Sequence, residues 1–151
     1  MSDFHVSVGE SASFTKTVGE TDVYLFAGIT GDFARNHVDK TYMERSAFGR
    51  LQAHGALMVG FMSTVAGLVA ARTPAEAGET PVSLGYDRIR FTAPVFLGDT
   101  ITVDYTIDEV DPRRRRSSAQ VRVVNQDGAL VAVATHILAW VGNDAAPAGQ
   151  G

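Results

Sequence analysis

The longest weakly charged stretch of the chain, residues 53–71, predicts a long helix in the core of the protein. Apolar residues dominate the stretch, but glycines and hydroxyl residues interrupt it, and His54 and Arg72 border it. A membrane-spanning helix needs about 20 predominantly apolar residues, which this pattern does not supply. The pattern instead indicates a helix buried on nearly all sides, in which small residues let another backbone come close.

β-Branched and aromatic residues follow this helix in four segments with partial alternation, which is typical of β-strands. The predicted strands are residues 81–95, 100–110, 117–125 and 129–141, and a further strand is predicted upstream at 13–18. The sequence Asn-Gln-Asp-Gly at 125–128 is typical of a hairpin connection, so we expect the last two strands to be antiparallel neighbours.

The order of the elements predicts the fold class. A short helix over residues 20–30 and a polar connection stand between the first strand and the long helix, and a surface loop over 73–80 leads to the four strands. We therefore expect an α+β fold, a single domain with a long central helix wrapped by an antiparallel β-sheet. Because one sheet leaves part of the helix uncovered, we also expect a homodimer or a higher homo-oligomer.

Composition narrows the class of protein. The chain has 151 residues, a formal net charge of −4 and no cysteine, so it holds one domain and has no disulfides, thiolate metal ligands or cysteine nucleophile. The acidic balance argues against a nucleic-acid-binding surface. The N-terminal residues contain no apolar run like that of a signal peptide, and we expect a cytoplasmic protein without a membrane contact. Residues 1–11 are predicted to be a flexible N-terminus and residues 142–151 a disordered C-terminal tail.

Most of the polar groups with chemical potential lie between Gly31 and His54. Asp32 and His37 are five positions apart in a predicted loop between two helices, and a loop lets both side chains converge on one small volume. A carboxylate beside an imidazole can orient a water molecule and take its proton near neutral pH. Taken alone, Asp32 is equally typical of a turn and His37 of a structural histidine.

The start of the long helix is a second candidate site. Free backbone amides at a helix N-terminus form a partial positive pole, and Gly55 would let a ligand carbonyl approach closely, as in an oxyanion hole. His54 is interpreted as a cap of this helix rather than as a proton-transfer group. Ser63 lies nine positions after His54 and could reach the same cavity, or bond back to its own helical turn.

Together these segments resemble the MaoC-like, (R)-specific enoyl-CoA hydratase family of hot-dog proteins. The residues that carry the resemblance are Gly31-Asp32-Phe33, His37-Val38-Asp39, Ala53-His54-Gly55-Ala56-Leu57, Ser63 and the segment Phe91 to Asp99. It covers residues 12–141 and implies a MaoC-like hot-dog domain over that range. By the same resemblance, Asp32 and His37 would be the catalytic pair, Gly55 an amide donor to a thioester carbonyl, and Ser63 a supporting polar contact.

One departure from the family pattern concerns Ala34 and Arg35, which stand where these hydratases usually have Asn-Pro. The loop therefore lacks a proline constraint and an amide that could support Asp32. Arg35 places a cation beside the predicted site, where it could contact a phosphate of coenzyme A or simply be solvated.

The run of four arginines at 113–116 follows the turn Asp111-Pro112. We favour a solvated hairpin end, which would also discourage edge aggregation. The alternative is that Arg113 and Arg114 contact the phosphates of coenzyme A, to which guanidinium groups are suited. The four histidines have no metal-ligand spacing, so no metal site is predicted.

The resemblance leads to one principal functional hypothesis and two alternatives. The principal one is a hydro-lyase, an enoyl-CoA hydratase or 3-hydroxyacyl dehydratase, with no cofactor other than the CoA or pantetheine of its substrate. The first alternative is a hot-dog acyl-CoA thioesterase, because one fold can host both reactions. The second is a non-catalytic subunit that binds acyl thioesters, which the Ala34-Arg35 departure makes conceivable.

Overall fold

Five strands form a single antiparallel sheet in a computed structural model that describes residues 4–144. The strand order is β1-β3-β4-β5-β2, so β1 and β2 are the two edge strands. The strand bounds are Ser11–Thr17 for β1, Glu79–Phe91 for β2, Thr100–Asp111 for β3, Arg116–Val124 for β4 and Leu130–Gly142 for β5. The predicted hairpin is confirmed, since β4 and β5 pair antiparallel around the turn closed by Asn125 and Ala129.

Four α-helices connect and cover this sheet. They are α1 at Glu20–Thr30, α2 at Arg35–Val38, α3 at Lys40–Glu44 and α4 at Gly55–Ala70, and a short 3₁₀ turn follows at Ala75–Ala77. The α+β fold with one long helix against one antiparallel sheet is therefore confirmed. None of the helices within residues 4–144 is long and apolar enough to cross a membrane.

The core lies between α4 and the concave face of the sheet. Buried positions of α4 recur every three or four residues, as expected for one helical face, and include Met58, Met62, Val65 and Val69. Every second residue of the central strands points at this face, as the pleat of a strand requires. The buried strand residues include Ile101, Val103, Tyr105, Ile107, Ala119, Val121 and Val123.

The opposite face of α4 is exposed, so the expectation of a helix buried on nearly all sides is wrong for the single chain. The exposed positions are Ala56, Gly60, Ser63, Thr64, Gly67 and Leu68. They are small except for Leu68, which is 48% exposed. The sheet reaches only one side of the helix, because β1 and β2 end the sheet at the flanks of α4.

Residues 4–10 do not match the expected flexible N-terminus. Phe4 and Val6 are buried in the core, and the Phe4 ring meets Trp140 edge-on at 4.8 Å. The packed part of the chain therefore begins before residue 12, the predicted domain boundary. Of the predicted C-terminal tail, residues 145–151 lie outside the described residues, and Asn143 donates its amide to the Gly78 carbonyl.

Candidate active site

The loop that carries Asp32 begins where α1 ends. Gly31 closes α1 with a left-handed backbone, φ 81°, and its amide still bonds to the Ala27 carbonyl. The turn that follows is held by the Asp32 side chain, whose Oδ1 accepts a hydrogen bond from the Ala34 amide at 3.2 Å. Asp32 is exposed. Asp32 can therefore hold the turn through Oδ1 and still have a chemical role through Oδ2, which takes no part in the turn.

His37 lies in the short helix α2 rather than in the predicted loop, and its ring is buried. Nδ1 is 2.8 Å from the Gln52 carbonyl oxygen. Because a carbonyl only accepts, Nδ1 carries the proton in this contact, and in the neutral ring Nε2 is left as a proton acceptor. A second hydrogen bond joins α2 to the segment before α4: the backbone N–H of Gln52 donates to the backbone carbonyl of Asn36 at 2.9 Å.

His54 occupies the N-cap position of α4, as the sequence predicts, but its side chain makes no capping hydrogen bond. The ring instead turns toward the loop, where Nε2 donates to the Asp32 carbonyl at 2.9 Å. It stacks on the His37 ring with centroids 3.7 Å apart and planes 24° from parallel. The structure thus links the two candidate motifs through a histidine for which no chemical role was predicted.

Asp32, His37 and His54 place one possible ligand atom each within 4.8 Å of one another. A metal ion bound by both rings would need their in-plane lone pairs to meet at one point, whereas the lone pairs lie in two stacked planes, 24° from parallel with ring centroids 3.7 Å apart. One nitrogen of each ring is also engaged by a carbonyl. The cluster therefore suits a water molecule held between a carboxylate and an imidazole better than it suits a metal ion.

A cavity of about 450 Å³ opens beside this cluster. His37, His54 and Gly55 form one wall of the cavity. The other lining residues include Met58 of α4, Phe91 at the end of β2, Ala93, Pro94 and Val95 of the following loop, and Val131 of β5. The cavity combines apolar walls with a few convergent polar groups, which is typical of small-molecule sites.

Gly55 begins α4, and the first amides of a helix have no partner within the helix. Within residues 4–144, the Gly55 amide donates no hydrogen bond. An added Cβ at Gly55 would lie 2.6 Å from Cε2 of Phe91, closer than real contacts allow. A larger residue at position 55 would therefore force the Phe91 ring to shift, whereas glycine lets the ring pack against the start of α4, where Gly55 lines the cavity.

Ser63 does not join the site. It lies on the exposed face of α4, outside the residues that line the cavity, and its hydroxyl lies near Tyr86 of β2. Burial raises the pKa of Tyr86, and the Ser63 hydroxyl opposes that shift. In the single chain Ser63 therefore lies apart from the cavity, and its contact with a bound thioester stays a prediction.

The predicted phosphate-binding arginines occupy two distant places. Arg35 pairs with Asp39 at 2.9 Å and covers the Tyr42 ring, beside the site but outside the main cavity. Arg113 and Arg114 lie in the β3–β4 hairpin, where the Asp111 carboxylate accepts both backbone amides. The hairpin and the cavity lie at opposite ends of β5. Arg116, at the hairpin, pairs with Ala139, whereas Val131 lines the cavity. These two residues of β5 are eight positions apart, which is about 26 Å at roughly 3.3 Å per residue.

Several residues of the site were missed by sequence reasoning. Gln52 provides the carbonyl that orients His37, and its side-chain amide nitrogen is buried at the cavity with no partner in the described chain. Phe91 was assigned to a predicted strand, and its side chain packs on Gly55. Neither role leaves a signal in the sequence, because both depend on contacts between distant segments.

The model of the MaoC like domain family matches residues 3–129. An (R)-specific enoyl-CoA hydratase from Rhodospirillum rubrum is 37% identical over 110 residues, which cover 73% of this chain and 72% of that protein. The solved (R)-hydratase from A. caviae superposes with a TM-score of 0.77 at 27% identity and covers 89% of this chain and 96% of that one.

The fold is also that of a hot-dog-like protein from Thermanaerovibrio acidaminovorans, with a TM-score of 0.66, 20% identity, and coverage of 93% of this chain and 87% of that one. At this identity the likeness concerns the fold alone. The expectation of a hot-dog domain is thereby confirmed.

Proposed function

Because the chain belongs to the MaoC-like domain family, we propose that it catalyses reversible hydration of a trans-2-enoyl-CoA, or a related enoyl thioester, to a (3R)-hydroxyacyl thioester. The observation that carries the proposal is the cluster of Asp32 and His37 beside a cavity that also exposes the Gly55 amide. The enzyme is a hydro-lyase, and we place it in the cytoplasm, as the sequence predicts.

The first part of the mechanism is activation of the thioester. The Gly55 amide, aided by the positive end of α4, donates to the thioester carbonyl oxygen. Electron density moves onto this oxygen when water attacks, so the donor binds the enolate-like transition state more tightly than the substrate. The acyl chain lies along the apolar walls of the cavity, which include Met58 and Val131.

The second part is activation of water by Asp32 and His37. Nε2 of His37 takes a proton from a water molecule that the Asp32 carboxylate orients, because Nδ1 is already engaged by the Gln52 carbonyl. The water oxygen bonds to C3, the electrons of the C2=C3 bond move toward the carbonyl oxygen, and a proton returns to C2 from one of the pair. No electrons leave the substrate, so the proposal requires no redox cofactor. The Gly55 amide polarises the carbonyl in place of a metal ion, and CoA or pantetheine enters as part of the substrate.

We further propose that the enzyme is a homodimer formed along β2. This edge strand has 13 residues and exposes Leu84 and Phe91, and the exposed small-residue face of α4 lies beside it. A two-fold axis at this edge pairs β2 antiparallel with its copy, which is a closed assembly. The other edge, β1, has only seven residues and a polar sequence.

The dimer gives the arginine hairpin a route to the substrate. Antiparallel pairing places Glu79 of one β2 beside Phe91 of the other, so the partner's hairpin comes within about three strand spacings of the cavity, roughly 15 Å. We therefore assign the CoA phosphates to Arg113 and Arg114 of a second copy, with Arg35 of the same chain as a further candidate. Arg114 supports this role because its side chain is 78% exposed and lies 3.7 Å from Asp111, a loose pair.

The test is a pair of assays on the purified protein with crotonyl-CoA. We expect loss of the conjugated enoyl-thioester absorbance without release of free thiol. Asp32→Asn and His37→Ala should each reduce this rate by at least about 10²-fold, the usual contribution of a general base, without a matching rise in KM. Thiol release would instead identify a thioesterase, and binding without turnover of any enoyl-CoA would identify an acyl-binding subunit.

A further inference from the structure

We propose that His54 is a positioning residue that holds Asp32, His37 and the Gly55 amide in one arrangement. The inference rests on the proposed hydration reaction and adds a residue to its machinery. His54 is 1% exposed, and its ring contacts each of the elements that carry the other groups.

The hydrogen bond to the Asp32 loop is the first of these contacts. Nε2 of His54 donates to the backbone carbonyl of Asp32 across 22 positions of the chain at 2.9 Å. The loop has no proline, and its own turn bond from Ala34 to Asp32 is 3.2 Å long. His54 therefore provides the contact that fixes the backbone of Asp32 to the start of α4.

The second contact is the aromatic stack. The His54 ring is held between His37, at a centroid distance of 3.7 Å, and Phe26 of α1, at 4.7 Å. These two residues come from the helices on either side of the Asp32 loop. The His54 ring thus contacts both helices, and the position of the His37 ring relative to Asp32 depends on it.

The third observation is an unsatisfied atom. Nδ1 of His54 is buried and contacts no hydrogen-bond partner in residues 4–144. A buried polar atom without a partner destabilises a fold, and an apolar ring would pack in the same place without that cost. The bond from Nε2 to Asp32 is therefore the ring's one polar contact with the described chain, and positioning accounts for a histidine at residue 54.

The experiment compares two substitutions. His54→Gln keeps a donor near the place of Nε2, and His54→Phe keeps the stacked ring but removes the donor. We expect His54→Phe to lower kcat for crotonyl-CoA by about 10²-fold, because a displacement of about 1 Å has that effect on catalytic geometry, with KM changed less than about threefold. His54→Gln should recover at least about tenfold of that loss.

The matched control is His5→Phe, which makes the same chemical change near Glu79, outside the site. It should leave kcat unchanged, and circular dichroism should give the same folded spectrum for all variants. Wild-type kcat in His54→Phe, or equal losses in both His54 variants, would overturn the proposal.

A second measurement does not depend on activity. In ¹⁵N-histidine spectra of the resting wild-type protein, His54 should be in the Nε2–H tautomer, and the His37 signals should shift in His54→Phe but not in His5→Phe. An Nδ1–H tautomer of His54, or unmoved His37 signals, would contradict the positioning role. An inactive wild-type protein with the expected spectra would instead reject the hydratase proposal alone.

Discussion

At the scale of single residues, Gly55 has a steric constraint that can be separated from its amide. Alanine keeps the N–H donor but places Cβ 2.6 Å from the Phe91 ring. We expect Gly55→Ala to lower kcat/KM for crotonyl-CoA by about 10-fold or more, because the ring, which lines the cavity, must shift. The second substitution Phe91→Ala in the same chain should restore part of the loss.

Steady-state kinetics of Gly55→Ala and of the double variant show whether the Phe91 ring causes the loss of kcat/KM. An unchanged loss in the Gly55→Ala, Phe91→Ala double variant would contradict the steric explanation. It would mean that the alanine itself disturbs the start of α4.

The sequence predicted the location of the candidate site from Asp32, His37 and Gly55, whose spacings are local signals. It did not predict the contact of His54, because that hydrogen bond joins residues 22 positions apart through a loop whose path depends on packing. The position of Ser63 on the exposed face of α4, outside the cavity wall, was not predictable for a related reason. Helical spacing gives the face of a residue, but not which face the sheet covers.

At the scale of secondary-structure elements, a polar chain centred on the buried His136 joins three strands. His136 of β5 lies 2.9 Å from the Tyr105 hydroxyl of β3 through Nδ1 and 2.8 Å from the Ser83 hydroxyl of β2 through Nε2. In β4 the residue opposite His136 is Ala119, whose small side chain leaves room for this contact. Burial lowers the pKa of His136 to about 4, so the ring stays neutral at neutral pH.

This shift predicts a pH-dependent stability. Between pH 6.5 and about 4 the unfolded chain binds a proton at His136 and the folded chain does not, so folded stability falls as the pH drops through this window. The slope from one such group is about 1.4 kcal/mol per pH unit at most. In urea unfolding, His136→Gln should therefore be less destabilising at pH 5 than at pH 7.

Other titratable groups contribute equally to the free energy of unfolding of wild type and of His136→Gln, so their contributions cancel in this comparison. Glu79 is one of them: hydrogen bonds from Arg115 and His5 lower its pKa to about 2, so its stabilising contribution is lost only below about pH 4.5. An identical difference between wild type and His136→Gln at both pH values would show that His136 does not carry the dependence.

Element bounds were predictable where the chain marks them with glycine. Helix α1 spans the predicted residues because Gly19 and Gly31 stand at its two ends. Helices α2 and α3 were missed, because elements of four and five residues are too short to have a helical period. The strand predicted to end at residue 95 ends at Phe91 in the structure. The apolar residues that follow it line the cavity instead.

At the scale of the whole molecule, the sequence predicted strand neighbours only where a hairpin joins them, which is β4 with β5 and, at the arginine turn, β3 with β4. β1 pairs with β3 across the four helices and β2, and β2 pairs with β5 across β3 and β4. Hydrophobic patterns identify which residues form strands, but pairings between distant strands depend on the folded topology.

The proposed dimer predicts how the enzyme recognises coenzyme A. Arg113→Gln combined with Arg114→Gln should lower kcat/KM for crotonyl-CoA by roughly threefold to tenfold at low salt, because exposed ion pairs contribute about 0.2–1 kcal/mol each. The loss should shrink as salt screens the charges. The same variant should hydrate crotonyl-pantetheine, which has no phosphate, at the wild-type rate.

Mixed dimers test which copy supplies the arginines. A chain with Asp32→Asn keeps its hairpin, and a chain with both arginine substitutions keeps its catalytic pair. If the hairpin acts across the dimer, their heterodimer recovers the wild-type KM for crotonyl-CoA. A KM that stays raised in the heterodimer would contradict that assignment.

The most direct test of the central claim is hydration of crotonyl-CoA in H₂¹⁸O, with the products analysed by mass spectrometry. The account predicts one ¹⁸O at the C3 hydroxyl of an intact 3-hydroxybutyryl-CoA, and no label above background in the same time with Asp32→Asn. Label in a free carboxylate, or equal labelling by Asp32→Asn, would contradict water addition by the Asp32 and His37 pair.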